Sequence, residues 1–231
     1  MTFSLTTLGA LFSLAMLPFA LQGNGQASGQ GEHVPEIVHE GGDEGPIDMT
    51  GPEQDVLLGE IAAALGSVKT AKGRFTQYDV NYNQTSGDFY LRRPGRVRFE
   101  YDAPSPLLIV ADGATVAIED KDLETQDRVP LRATPLALIL DDEIDFTERV
   151  DVLAVRKSNG VIGVMVEDKT GETEGSLLLV VDATDYSLVE WQTIEPDGRG
   201  TSVQLAGIET GISLNPRLFR IEELDAEDER D

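Results

Sequence analysis

The 231-residue chain carries 42 acidic against 18 basic side chains, a formal charge of −24, and no cysteine. Its length allows one large domain with a buried core and flanking tails but leaves little room for two. The charge excludes nucleic acid as a partner, since phosphate backbones are held by clustered Lys and Arg, and the missing thiol excludes disulfides, thiolate catalysis, zinc-thiolate sites and a lipid-modified N-terminal cysteine.

Residues 1–21, MTFSLTTLGALFSLAMLPFAL, form an uncharged, largely apolar run, whose core, LGALFSLAMLPFAL, is shorter than the roughly 20 strongly apolar residues of a membrane span and of the length of a signal-peptide hydrophobic region. Export is expected, with residues 1–27 as the signal peptide and small residues at Gly25 and Ala27 permitting cleavage; the lack of any Lys or Arg ahead of the run departs from the usual pattern. Residues 28–50 are rich in Gly, Glu and Asp and read as a flexible acidic linker, because they offer little apolar surface to offset the entropy of ordering. Both histidines, His33 and His39, stand in this linker among Glu36, Glu40 and Asp43. The set reads as a solvated tail, so no metal or cofactor is expected, and Ser-His or Cys-His nucleophiles are excluded from the folded body.

Thr50-Gly51-Pro52-Glu53 matches a capping box with Thr50 as N-cap. A helix is predicted to follow, with Val56, Leu57, Ile61, Ala64, Leu65 and Val68 as its apolar stripe and Gly66 near its end. From Ala71 the period changes to two, and turn signals at 81–86, Pro94-Gly95, 102–106 and Asp112-Gly113 divide the segment into about five strands. Thr134-Pro135 repeats the cap-then-proline signature before LALIL, a short helix apolar nearly all round that must press on other apolar groups. VDVLAVRKS, GVIGVMVED, GSLLLVVD, LVEWQTIE, GTSVQLAGIE and LFRIEE read as further strands, punctuated by Asn159-Gly160 and Glu195-Pro196-Asp197-Gly198. The acidic end, 223–231, reads as disordered. The expected fold is α+β: one large antiparallel sheet of about ten strands, curved by accumulated twist and covered by helices.

FYLRRPGRVRFEY, residues 89–101, carries the most informative pattern. Side chains alternate along a strand, so Phe89, Leu91 and Arg93 share one face, as do Val97, Phe99 and Tyr101 on the next strand. Arg93 is in phase with the apolar side. From the residues alone two readings stand: it caps a strand end and reaches solvent, or it points inward and must find acceptors. The aromatic stripe likewise fits either ordinary core or the lining of a ligand space, and Trp191 fits core. Acidic pairs such as Asp141-Asp142 are expected by chance in so acidic a chain and read as solvated surface, so an enzyme is not expected.

Phe75-Thr76-Gln77, Arg93-Pro94, Phe99-Glu100-Tyr101, Pro104, Asp112-Gly113, Thr134-Pro135-Leu136 and Leu218-Phe219 occur in an order and spacing that resembles the LolA family of lipoprotein carriers, over about residues 53–222. The resemblance implies a half-open β-barrel within a carrier domain at 51–222, closed over its concave apolar face by helices. It implies a periplasmic protein that receives lipoprotein acyl chains from an ATP-driven (ABC-type) inner-membrane extractor and passes them to an outer-membrane acceptor or to the outer membrane itself. It further implies that Arg93 contacts the helical lid and holds the empty state closed. The phase argument adds Phe75, Phe89, Leu91, Val97, Phe99 and Tyr101 as cavity residues, with Leu107 and Ile109 beside them, and Leu136, Leu138 and Ile139 on the lid. A monomer is expected. The long acidic linker, the strong negative charge and the early end after Phe219 depart from the family pattern. They leave open a carrier of another lipid, or an exported β-rich structural or sensory module with a filled interior.

Overall fold

The computed structural model describes residues 46–171 and 173–223. The expected signal peptide, the histidine-bearing part of the linker and the acidic tail from residue 224 onward lie outside the described residues. Ile47–Asp48 forms a two-residue strand, β1, so the end of the stretch read as linker belongs to the sheet.

Helix α1 spans Pro52–Ser67. The expected capping box does not form: Gly51 is the N-cap, and no side chain caps the helix. The reason is local, since Gly51 sits at φ 69°, which a first helical residue cannot adopt, and the helix therefore starts one position later. The stripe shifts accordingly. Leu58, Ile61 and Leu65 are buried, Leu57 and Val68 pack at its margin, and Val56 is exposed.

Eleven longer strands follow: β2 (Thr70–Tyr78), β3 (Gln84–Arg92), β4 (Arg96–Tyr101), β5 (Leu107–Asp112), β6 (Thr115–Asp120), β7 (Thr125–Pro130), β8 (Val150–Ser158), β9 (Val161–Asp168), β10 (Ser176–Asp182), β11 (Leu188–Ile194) and β12 (Gly200–Thr210). With β1 they make one antiparallel sheet in the order β1-β8-β9-β10-β11-β12-β2-β3-β4-β5-β6-β7. The sheet is unclosed, with β1 and β7 at its edges. β7 went unread in the sequence because TQDRVP buries only Val129. Its polar face and terminal proline suit an edge that must not recruit another strand.

Phe99 on β4 and Trp191 on β11 lie four strand spacings apart, about 19 Å in a flat sheet, yet their ring centroids are 5.9 Å apart. The sheet therefore curls, and its concave side chains form one continuous core with α1 and with α2 (Leu136–Leu140). Pro135 precedes α2 as its N-cap residue, while the Thr134 hydroxyl donates back to Leu131 O at 2.7 Å, so Thr134 closes the preceding 3-10 turn rather than capping the helix.

The expected strand LFRIEE is absent. Pro216–Phe219 forms a 3-10 turn, with the Arg217 N–H donating to Asn215 Oδ1, and the chain from Ile212 to Glu222 runs as a strap over the convex face of β4–β7. Proline and the local Asn215 bond favour the turn over a ladder. Beneath it, Leu108, Val110 and Ala117 are buried on the face opposite the core, as is Phe219.

Candidate functional site

The β3–β4 turn, Arg93-Pro94-Gly95, holds both helices. Arg93 is 8% exposed. Its Nε donates to Val68 O at the end of α1 (3.0 Å), and Nη1 donates to Ile139 O and to Asp141 O (2.7 Å) at the end of α2. Two backbone groups join in: Arg93 N–H to Lys69 O (2.9 Å) and Gly95 N–H to Leu140 O (2.8 Å). Helix C-termini leave carbonyls without intrahelical partners, and a planar cation suits several of them at once. Burial pulls the guanidinium down to about 10, against the charges of Asp141 and Asp142, so Arg93 remains a cation at neutral pH. Its hydrogen bonds are made at the expense of desolvation, and water would take it back if the lid moved.

Exposed ion pairs flank the buried guanidinium. Lys69 Nζ lies 2.7 Å from Asp142 Oδ1, and Arg149 Nη1 lies 2.8 Å from Asp141 Oδ2. Solvent screening leaves such pairs little energy, so Arg93 dominates the junction.

Among the other residues singled out in the sequence, Phe75, Phe89, Val97, Phe99, Tyr101, Ile109, Leu136, Leu138 and Ile139 are buried together in the core, with Leu91 and Leu107 packed at its margin. Phe75 meets Phe99 and Tyr101 edge to face, at 5.2 and 4.9 Å between centroids. The Tyr101 hydroxyl donates to Gln77 Oε1 at 2.5 Å, and burial raises its pKa. Gln77, part of the Phe75-Thr76-Gln77 motif, is not among the site residues named from the sequence, although it lies two residues from Phe75 and so shares its face. Room for the rings comes from glycine: a Cβ on Gly87 would stand 2.7 Å from Phe75 Cε1.

Open space lies elsewhere. A cavity of about 180 Å³ sits between α2 and the ends of β9, β10 and β11. Leu138, Val150, Val166, Leu177 and Ile194 supply apolar lining, and Arg149, Asp168 and Glu195 are among the charged residues lining it. Of the twelve residues named from the sequence, Leu138 alone borders it. The strands from 150 to 194 show the same period of two, so phasing them, as was done for 89–101, would have exposed Val166 and Leu177.

An unclosed sheet curled around an apolar interior, with two helices fastened by one inward arginine, defines a lidded half-barrel. A family model described as outer membrane lipoprotein carrier protein LolA matches residues 66–222, and the chain belongs to that family. Its relatives include an outer-membrane lipoprotein carrier protein of Methylococcus capsulatus, 28% identical over 169 residues that cover 69% of this chain and 80% of that protein. Another, of Pseudomonas syringae pv. tomato, is 27% identical over 174 residues, 71% of this chain and 83% of that protein. A crystal structure of a LolA superfamily protein from Nitrosomonas europaea aligns with a TM-score of 0.41 at 8% identity, covering 70% of this chain and 96% of that one.

Proposed function

We propose that the chain is a soluble periplasmic carrier of a Gram-negative bacterium, taking lipoprotein acyl chains beneath its lid and moving them from the inner to the outer membrane. Its donor is an ABC-type extractor in the inner membrane; its acceptor is an outer-membrane receptor or the outer membrane itself. It works as a monomer, by binding and without catalysis or cofactor. Residues 1–27 direct export, 28–50, apart from the β1 strand near its end, and 223–231 flank the carrier domain at 51–222, and the relatives named lipoprotein carriers support the cargo.

The observation that carries this reading is Arg93, a buried cation tying the ends of two helices across an apolar interior. Hydrogen bonds of this kind contribute about 1–3 kcal/mol each. An acyl chain of about 15 methylenes gains on the order of 12 kcal/mol on burial, enough to displace them. The 180 Å³ cavity is smaller than the roughly 300–1,000 Å³ of sites that enclose small ligands. Loading therefore needs α2 to swing away, whereupon Phe75, Phe89, Leu91, Val97, Phe99, Tyr101, Leu107 and Ile109 become the acyl surface and Leu136, Leu138 and Ile139 the lid surface. Incubation with spheroplasts should release lipoproteins into the soluble fraction bound to the protein. No released lipoprotein would refute the carrier reading, and Arg93→Leu should retain cargo or fail to cycle.

One observation favours a second reading: the aromatic rings already fill their half of the interior. An exported structural or sensory module with a filled barrel binds no fluorescent fatty acid, whereas a carrier, of lipoproteins or another lipid, does.

A further inference from the structure

In a chain with 42 acidic side chains against 18 basic ones, a surface cation readily finds a carboxylate. Lys72, Arg74, Arg156 and Arg199 do so. The convex face of β3–β7 and its strap are different. Arg98 and Arg128 pair there with Glu100 and Glu223, but the side chains of Arg92, Arg96, Lys121, Arg217 and Arg220 make no hydrogen bond or ion pair among the described residues. Arg92 and Arg96 stand directly opposite each other on β3 and β4, a like-charge pairing that opposes folding. Arg96 faces Asp112 on its other side, but Asp112 Oδ1 is engaged by the N–H groups of Ala114 and Thr115.

Of these cations, Lys121, Arg217 and Arg220 border a groove of about 390 Å³ between sheet and strap. Arg98, Lys121, Arg217 and Arg220 line it against two carboxylates, Glu119 and Glu222. Its walls are fixed. Arg98 Nη1 reaches Leu218 O at 3.5 Å, Gln126 Nε2 donates to Glu222 O at 2.8 Å, and Phe219 is buried. A rigid cationic groove on an anionic protein binds with little ordering cost.

We infer that this convex groove is a docking surface for an acidic polypeptide segment of a partner protein, on the side of the sheet opposite the cargo. A narrow, localised polyanion fits better than an anionic bilayer. The net charge of −24 repels an extended anionic surface, and the groove is recessed beneath its strap, with Leu108, Val110 and Leu218 facing inward rather than out. Arg217 and Arg220, exposed on the strap, are positioned to meet carboxylates first.

The test is fluorescence anisotropy of a labelled Asp/Glu-rich peptide of about ten residues with the purified full-length protein, at low salt and at about 0.5 M NaCl, where screening shortens the reach of surface charge to a few ångströms. Specific binding that Arg217→Glu/Arg220→Glu weakens at least about tenfold, and that Lys157→Glu on the distant β8 leaves unchanged, supports the surface. Unchanged circular dichroism of the variants ensures that both are folded. No binding to the acidic peptide, equal binding of a Gln/Asn peptide, or equal loss in all variants overturns the proposal. So does tighter, groove-dependent binding to phosphatidylglycerol vesicles. If Asp225→Asn/Glu227→Gln/Asp228→Asn raises peptide affinity about tenfold, by the same electrostatic reasoning, the chain's own acidic end is the occupant and the external partner is refuted. None of these readouts depends on cargo.

Discussion

The two halves of the concave surface solve the same packing problem with different side chains. On β2–β4 the inward positions hold Phe75, Phe89, Phe99 and Tyr101, whose rings meet one another and fill the space under the turn that carries Arg93. On β8–β10 they hold Val150, Val155, Val164, Val166, Leu177 and Leu179, shorter side chains, and there the cavity opens beneath α2. Large rings bridge a sheet to its cover, whereas β-branched side chains line a surface without reaching across it. The fastening of α2 and the free space beside it therefore lie toward different ends of the helix: Arg93 grips the carbonyls of Ile139 and Asp141, whereas Thr134, Pro135 and Ala137 border the cavity from its start.

The sharpest way to break this contrast is to remove bulk from the filled half. Phe75→Ala is expected to lower stability by about 4 kcal/mol in urea denaturation, since a fully buried ring leaves a void its neighbours cannot close. A loss below about 1 kcal/mol would mean that the aromatic half is as loosely packed as the other. Next in size is Arg93→Met. It leaves the carbonyls of Val68, Ile139 and Asp141 without their donor, at about 3 kcal/mol after allowing for the relieved desolvation. Amide hydrogen exchange should rise in α1 and α2 and stay unchanged in β9–β10; a uniform rise would assign Arg93 to general stability rather than to the lid.

Legibility followed the same division. The aromatic half could be read because alternation in FYLRRPGRVRFEY is strict and a charged residue in apolar phase is conspicuous, and that alone led to Arg93. Phase did not show what Arg93 holds, since its acceptors are backbone carbonyls at 68, 139 and 141 and carbonyls carry no sequence signal; contact with a covering helix came only as what the family resemblance implies. Antiparallel strands of the second half were visible, but a cavity is a shortfall of side-chain volume across the sheet, which no single strand displays. Gly51 displaced the capping box through backbone conformation, and the strap over β4–β7 resembled a strand because LFRIEE alternates while binding through its turn.

Additions of volume sharpen the comparison more finely than deletions. Gly87→Ala adds one methyl to the filled half, where its Cβ would stand 2.1 Å from Glu100 O, and a destabilisation of about 2 kcal/mol is expected from overpacking. Val166→Phe adds most of a ring to the open half. Val166 is itself buried, between Val152 on β8 and Leu177 on β10, and its side chain borders the cavity. The ring therefore enters existing space, and stability should change by less than about 1 kcal/mol. Occupied space is lost to a ligand, so affinity for a fluorescent fatty acid should fall about tenfold, the equivalent of one or two methylenes denied burial. The larger addition thus produces the smaller change in stability, and the reverse order would show that the aliphatic half is as full as the aromatic one. Unchanged fatty-acid affinity in a stable Val166→Phe variant would confine the proposed acyl surface to the residues of β2–β5, reached only when Arg93 lets go, and leave the cavity beside α2 without a part in binding.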